Sequence, residues 1–197
     1  MLAMMRLSPN RLLSTLSWGY IWFFRSVPAL VQLIFWYNFG ALYPTVSLRV
    51  PFGPTLFSAD TNTLITPMFA ALAGLGLAQA AYTAEVIRGG IASVPHGQTR
   101  AALALGMRPL TIFRRIVFPQ AMRVIIPPVG NEVISMVKNT SLVSVIALAE
   151  LLYAAQLIYA RTYETIPLLI VASLWYLAIV SVLSAGQQFL ERHYRQR

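Results

Sequence analysis

The 197-residue chain has no cysteine, which excludes a disulfide framework, a thiolate metal site and thiol redox chemistry. Histidine is nearly absent too. His96 and His193 stand far apart in the chain, so a histidine-based metal site is not expected. Carboxylates are few, six Asp and Glu against fifteen Lys and Arg, and they form no concentrated His/Asp/Glu set or Ser–His pair of the kind a membrane-embedded enzyme would need. No stretch reads G-x-x-x-x-G-K-[ST], so a phosphate-binding loop is missing and ATP hydrolysis would have to belong to another polypeptide. Charge itself is scarce. Charged residues make up 11% of the chain, where a soluble domain has about 25%.

What fills the sequence instead is apolar. Hydrophobic residues account for 57% and the mean hydropathy is +0.65, with long uncharged stretches alternating with short basic ones. That layout belongs to an all-α membrane protein. The net charge of +9 does not indicate nucleic acid, because the basic residues sit beside apolar spans rather than along one face of a soluble domain.

A helix needs about 20 apolar residues to cross the bilayer core. Four segments approach that length, which predicts about four transmembrane helices: 27–43, rich in Phe, Trp and Tyr; 64–86, uncharged until Glu85; 124–148, longer and more polar; and 166–189. Between Ile87 and Met122 lie Arg88, Arg100, Arg108, Arg114 and Arg115 with no acid among them. Arg6, Arg11 and Arg25 precede the first span, and Arg192, Arg195 and Arg197 follow the last. The other two loops pair Arg49 with Asp60 and Arg161 with Glu164. The positive-inside rule therefore places both termini and the 87–123 loop in the cytoplasm, in a single membrane domain covering 1–197. Met1–Met5 is apolar but too short to span, and reads as the end of a truncated helix. Residues 10–26, with Arg11, Trp18, Trp22 and Arg25, read as an interfacial helix along the cytoplasmic surface.

The most informative segment is 93–120. Pro95 suits the first turn of a short helix, Ala101, Ala102 and Leu105 fall on one face, and Gly106 is placed to end it. A second short helix is expected from Pro109 to near Pro119. A cytoplasmic loop this long with a small-residue helix face suits close docking against another protein.

This segment resembles the cytoplasmic EAA loop of ATP-binding-cassette importer permeases, whose pattern is E-A-A, three residues, Gly, nine residues, I-x-L-P. The matching residues are Arg100-Ala101-Ala102, Gly106 and Ile116-Val117-Phe118-Pro119, with both spacers kept. Arg100 replaces the acidic residue and Phe118 the leucine, so an acidic contact with the ATPase is not carried over. Tyr20-Ile-Trp-Phe-Phe-Arg25-Ser-Val-Pro28, Ala84-Glu85-Val-Ile-Arg88-Gly89-Gly90, Pro119-Gln120-Ala121, Gly130-Asn131-Glu132 and Lys138-Asn139-Thr140-Ser141-Leu142 are similar to the polar amino-acid branch of the same family. The resemblance covers residues 6–190 and implies a permease subunit of a bacterial inner-membrane amino-acid importer. It implies as partners a cytoplasmic ATPase dimer that binds ATP and Mg, a second permease, identical or related, and a periplasmic or lipid-anchored solute-binding protein. No cofactor is expected on this chain. Gly97, Gln98, Arg100, Ala101, Ala102, Gly106, Ile116 and Pro119 are the implied ATPase-coupling residues. The family usually has five spans, one more at the N-terminus. The alternative, a stand-alone secondary transporter or channel, would want an internal repeat, and none is found.

The third span holds Pro127-Pro128, Asn131, Glu132, Ser135, Lys138 and Asn139. A charged residue at bilayer depth is costly and normally faces a cavity. Glu132, Ser135 and Asn139 fall at i, i+3, i+7 on one helical face, a candidate substrate pathway with Asn131 beside it. Glu132 has a competing structural reading, an ion pair with Lys138 or Arg123. Family members often carry Asp where this chain has Asn139, which weakens the case for a dibasic substrate. In the second span, Ala70, Gly74 and Ala78, and also Gly76, Ala80 and Ala84, repeat at four-residue intervals and suit close helix packing, with Gln79 and Tyr82 as lesser pathway candidates. Trp175 and Tyr176 read as core, and Glu150, Arg161 and Glu164 as external surface.

The arginine asymmetry sets a topology test. Since the chain has no native cysteine, single His96→Cys and Thr55→Cys variants can be labelled with impermeant thiol reagents. The two are expected to react from opposite sides of the membrane; reaction from the same side would overturn the orientation.

Overall fold

The computed structural model describes residues 1–49 and 55–195. Eleven α-helices, one π-helical turn, one 3-10 segment and a two-stranded hairpin make up the described chain. It divides into two compact units. One comprises Met1–Arg25, Gln79–Met136 and Leu177–Arg197, and the other Ser26–Ala78 and Val137–Tyr176.

The first unit begins with a short helix, α1 (Leu2–Arg6), tied back onto α2 (Arg11–Ser26). Ser17 Oγ donates to Leu2 O at 2.9 Å, and Arg6 Nη1 to Ser14 Oγ at 3.0 Å. Asn10 Oδ1 accepts from the Leu12 amide at 3.0 Å, the usual service of an Asn ahead of a helix. Helix α2 buries Ser17 and Ile21 and exposes Leu12, Leu16, Trp18 and Trp22, an amphipathic pattern consistent with the interfacial expectation.

The second unit departs from the predicted 27–43 span. Residues there form α3 (Ala29–Tyr37) and a single turn, α4 (Phe39–Leu42), neither long enough to cross a membrane. Helix α3 starts where it does because Pro28 disfavours helical geometry at Val27. The Gln32 side chain bonds Val27 O at 2.8 Å across that entry. It ends at Asn38, whose Nδ2 donates to Ile34 O at 2.9 Å. Two strands that the all-α reading did not foresee follow, β1 (Thr45–Arg49) and β2 (Thr55–Asp60), antiparallel with Thr45 opposite Asp60 and a bulge between Leu48 and Arg49. Asp60 then caps the one-turn helix α5 (Thr61–Leu64), accepting from Asn62 N at 2.8 Å.

Helix α6 (Pro67–Ala92) opens with Pro67 in its first turn, and Thr66 Oγ1 takes the Phe69 amide at 3.2 Å. It begins three residues later than the predicted 64 and runs six residues beyond 86. Helix α7 (His96–Ala104) and α8 (Pro109–Ile112) follow, then a π turn at Phe113–Val117 leading directly into α9 (Phe118–Asn139). The second short helix was expected to stop near Pro119; it does not. The π turn lies under that proline, and its i→i+5 bonding lets the ring pass the carbonyls behind it without breaking the helix. A 3-10 segment (Thr140–Ile146) ends at Ala147 in the left-handed region, φ 55°. Helix α10 (Leu151–Thr162) and the long α11 (Thr165–Arg195) complete the chain. Arg197, counted in the basic tail, lies outside the described residues.

Among the described residues, α6 and α11 are long and apolar enough to cross a membrane. A third span results when the Pro109–Ile146 run and α10, bent by 43°, are taken together as one broken span.

Only one of the two small-residue sets in α6 packs as predicted throughout. Ala70, Gly74 and Ala78 are buried. A Cβ at Gly74 would lie 2.8 Å from Leu33 Cα of α3, so the two backbones touch. In the second set only Ala84 is buried; Ala80 is exposed, and a Cβ at Gly76 would meet nothing within 4 Å. Gly74→Ala is therefore expected to cost about 1–3 kcal/mol by overpacking and to lower the melting temperature in detergent, while Gly76→Ala leaves it unchanged or slightly raised. Equal effects would show that α3 and α6 are not in backbone contact.

Candidate functional site

Two groups of sequence-predicted residues lie in the first unit, all but Asn139, which belongs to the second. The first is built around α7. Pro95 caps it one residue ahead of its expected place in the first turn. The C-terminus closes as a Schellman motif: Gly106 N bonds Leu103 O at 2.9 Å, Met107 N bonds Ala102 O at 3.1 Å, and Gly106 adopts φ 75°. Gly106 thus ends the helix, as its position predicted.

The two halves of the loop motif meet through side chains. Gln120 of α9 donates to Gln98 Oε1 of α7 and, at 2.9 Å, to Ile116 O within the π turn. Behind them Val94, Ala121 and Ile125 form a buried apolar cluster, with Ile91 and Val117 packed on it. A Cβ on Gly90 would fall 2.2 Å from Ile125 Cγ1, so α6 and α9 pack closely at this level.

The predicted small-residue face needs correcting. Ala102 is 2% exposed and turns into its own protein, whereas Ala101 and Leu105 are exposed. One helical turn separates Gly97, Ala101 and Ala104, all exposed, and this is the small-residue stripe that α7 offers outward, with exposed Arg100 beside it. Ala101 and Ala102 are neighbours in sequence and point about 100° apart on a helix, so they cannot serve one surface. Pro119, expected near the end of the second short helix, lies in the first turn of α9.

The second group lies on α6 and α9. Gln79 Nε2 donates to Glu132 Oε2 at 2.9 Å, joining two of the predicted pathway residues. Gln79 also faces Thr83 Oγ1 at 3.4 Å. Asn131, one residue away, turns to α11, where Gln187 Nε2 donates to its Oδ1 and to Pro127 O, each at 3.2 Å, and to Glu191 Oε1 at 2.7 Å. Ser135 is half-buried on the Glu132 side of α9, and Asn139 is exposed at its last residue. Tyr82 is engaged elsewhere: its hydroxyl donates to Arg25 O at 3.4 Å, and the Arg25 guanidinium lies 5.3 Å from its ring centroid.

Gln187 was missed by sequence reasoning. Its one signal was an amide pair, Gln187-Gln188, near the end of an uncharged segment. Glu150, expected at the external surface, carries a structural task that its sequence position did not reveal. It is half-buried and caps α10, accepting from Leu152 N at 2.8 Å and Tyr153 N at 2.6 Å, and it also accepts from Tyr176 Oη at 2.9 Å. Trp175, expected in the core, is exposed.

The family described as the binding-protein-dependent transport system inner membrane component matches residues 1–196. The chain belongs to this family. It is 45% identical over 197 residues to the arginine transport system permease protein ArgU of Corynebacterium glutamicum, an alignment covering 99% of this chain and 60% of that one. It is 42% identical over 199 residues to the nopaline transport system permease protein NocM of Agrobacterium fabrum, covering 99% and 79%. A crystal structure of an amino acid ABC transporter with histidines superposes with a TM-score of 0.81 at 31% identity, over 98% of this chain and 81% of that one. The chain therefore spans three fifths of the length of ArgU and about four fifths of the other two. These matches bear out the membrane-embedded, helical permease expected from the sequence, and they make it an integral inner-membrane protein.

Within this permease the Glu132 carboxylate is held by a neutral amide. Glu132→Gln keeps the shape and a hydrogen bond to Gln79 but removes the charge. Assembly in the membrane should be unchanged, while uptake by the assembled system should fall on the order of tenfold or more, the range set by ~1.5–3 kcal/mol for a hydrogen bond to a charged group. Normal uptake with loss of folded protein would instead mark Glu132 as structural.

Proposed function

We propose that this chain is the membrane-spanning subunit of an ATP-binding-cassette importer that carries a polar amino acid into the cytoplasm. Hydrolysis of ATP takes place on a separate ATPase dimer, and a second permease and a solute-binding protein complete the assembly. The observation that carries this reading is α7. It is a nine-residue helix fixed to α9 by the Gln98–Gln120 bond, closed by a Schellman turn, and presents an exposed stripe of small residues at Gly97, Ala101 and Ala104. A helix with so little side-chain bulk lets a partner approach its backbone. The same unit supplies the Gln79–Glu132 pair, a carboxylate suited to the α-ammonium group of an amino acid.

The relatives support the amino-acid class without naming the substrate of this chain. ArgU is named for arginine, which runs against the argument that Asn139 disfavours a dibasic substrate. Asn139 is exposed at the end of α9 and contributes nothing to the Gln79–Glu132 pair, so the residue at that position is a weak guide to substrate charge. Cytoplasmic termini and a cytoplasmic α7 follow from the arginine distribution.

The test exploits the left-handed Gly106. Asp there brings a Cβ, about 1–2 kcal/mol of backbone strain and a charge, whereas Asn is better tolerated in this conformation. Gly106→Asp is expected to insert normally yet lose co-purification of the ATPase or ATPase-coupled uptake, and Gly106→Asn to retain most of both. Wild-type behaviour of Gly106→Asp in both measurements would remove α7 as the coupling element.

A further inference from the structure

Just ahead of α9 a recess of ≈ 470 Å³ is lined by Leu110, Thr111, Arg114 and Arg115. The importer mechanism above makes no use of it. The four residues fall on one side of the helix because the π turn at Phe113–Val117 stacks residues four and five apart, which brings both guanidinium groups and the Thr111 hydroxyl to the same concavity. Both arginines are exposed. No carboxylate occurs anywhere from Val86 to Asn131, so the local chain offers them no counter-charge.

From these features we propose that this recess binds the phosphate of an anionic phospholipid headgroup from the cytoplasmic leaflet. Two fixed cations and a hydroxyl donor match a phosphodiester. The apolar flanks point to a lipid. Leu110 and Phe118 stand four residues either side of Arg114, 68% and 48% exposed, so an apolar–cationic–apolar stripe runs into the start of the spanning helix. Such a stripe lets guanidinium groups reach the headgroup layer while the neighbouring side chains contact acyl chains. An acidic protein partner would be served by the arginines alone and would leave Leu110 and Phe118 unexplained.

The experiment uses the purified permease complex in neutral detergent, titrated with short-chain phosphatidylglycerol, short-chain phosphatidylcholine and inorganic phosphate. Wild-type complex is expected to bind phosphatidylglycerol saturably and more tightly than the other two. Arg114→Gln/Arg115→Gln should weaken it roughly thirtyfold, the change expected on removing two interfacial cations. Arg108→Gln, outside the recess, should leave it unchanged. If the double variant does not assemble, single Arg115→Gln and the charge-keeping Arg114→Lys/Arg115→Lys provide the same comparison, the first weakened and the second largely retained. Inorganic phosphate binding as tightly as phosphatidylglycerol would make this a soluble-anion site and overturn the lipid assignment. Unchanged lipid binding in the double variant would overturn it as well, as would loss of the ATPase with lipid binding intact, which would mark a protein contact. None of these readouts measures transport, so the importer reading stands or falls separately.

Discussion

A helix that ends in an apolar setting leaves backbone groups that lipid cannot solvate, and the form of this chain follows from how such ends are closed. Where Pro28 ends the run of α2, the Gln32 amide covers the Val27 carbonyl. Where the chain leaves α3, Asn38 reaches back to Ile34 O. Where the polar span gives way to a 3-10 segment and turns through left-handed Ala147, the Glu150 carboxylate takes two amides of α10 and a tyrosine hydroxyl. Polar residues that look like a functional endowment in an apolar sequence are in good part helix caps. Glu150 is the clearest case: a carboxylate here is held by three neutral donors, and its duty is to the fold.

Close approach of backbones is the second constraint. Lipid supplies no hydrophobic drive between helices, so contact depends on shape, and small residues allow it. Gly74 against Leu33 and Gly90 against Ile125 are positions where a methyl group would fall below van der Waals distance of a neighbour. Gly97, by contrast, has nothing within 4 Å of a Cβ and is exposed on α7. The same residue type thus marks internal packing in one place and an open surface in another, and only the neighbours tell them apart.

That distinction explains what was legible beforehand. Gly106, the short helix before it, the buried Ala70–Gly74–Ala78 stripe and the polar character of α9 all follow from local rules, the left-handed cap and the helical repeat, and the structure shows them where they were expected. The break at Asn38, the hairpin after Pro44 and the inward turn of Ala102 depend on partners distant in sequence. Gly40 sits against Asn62, and Thr61 bonds Tyr43 O. Nothing near residue 40 announces those contacts, so an uncharged aromatic stretch read as one span. Gln187 was invisible for the same reason: an amide near the end of a long apolar helix has no meaning until Asn131 and Pro127 are found opposite it.

Gln187 also bears on how motion would travel through the first unit. Helix α9 starts at the contact with α7 and carries Glu132 twelve residues beyond Gln120, about 18 Å along the axis. Between them lie Pro127 and Pro128, which bring no amide hydrogens to the ladder and leave two rungs missing at the middle of the lever. A helix so weakened would flex and absorb a push delivered at Gln120 before it reached Glu132. The Gln187 side chain bonds Pro127 O and Asn131 Oδ1, both on the C-terminal side of the missing rungs, and so ties α9 to α11 just beyond the weak point. Below it, the Val94–Ala121–Ile125 cluster binds the base of α9 to the end of α6, the helix that also bears Gln79. Helix α7, the Gln120–Glu132 stretch of α9 and the Gln79–Glu132 pair lie in one compact unit. A displacement of α7 would have to pass the proline pair to reach Gln79–Glu132, so the prolines would set how much of it is lost on the way.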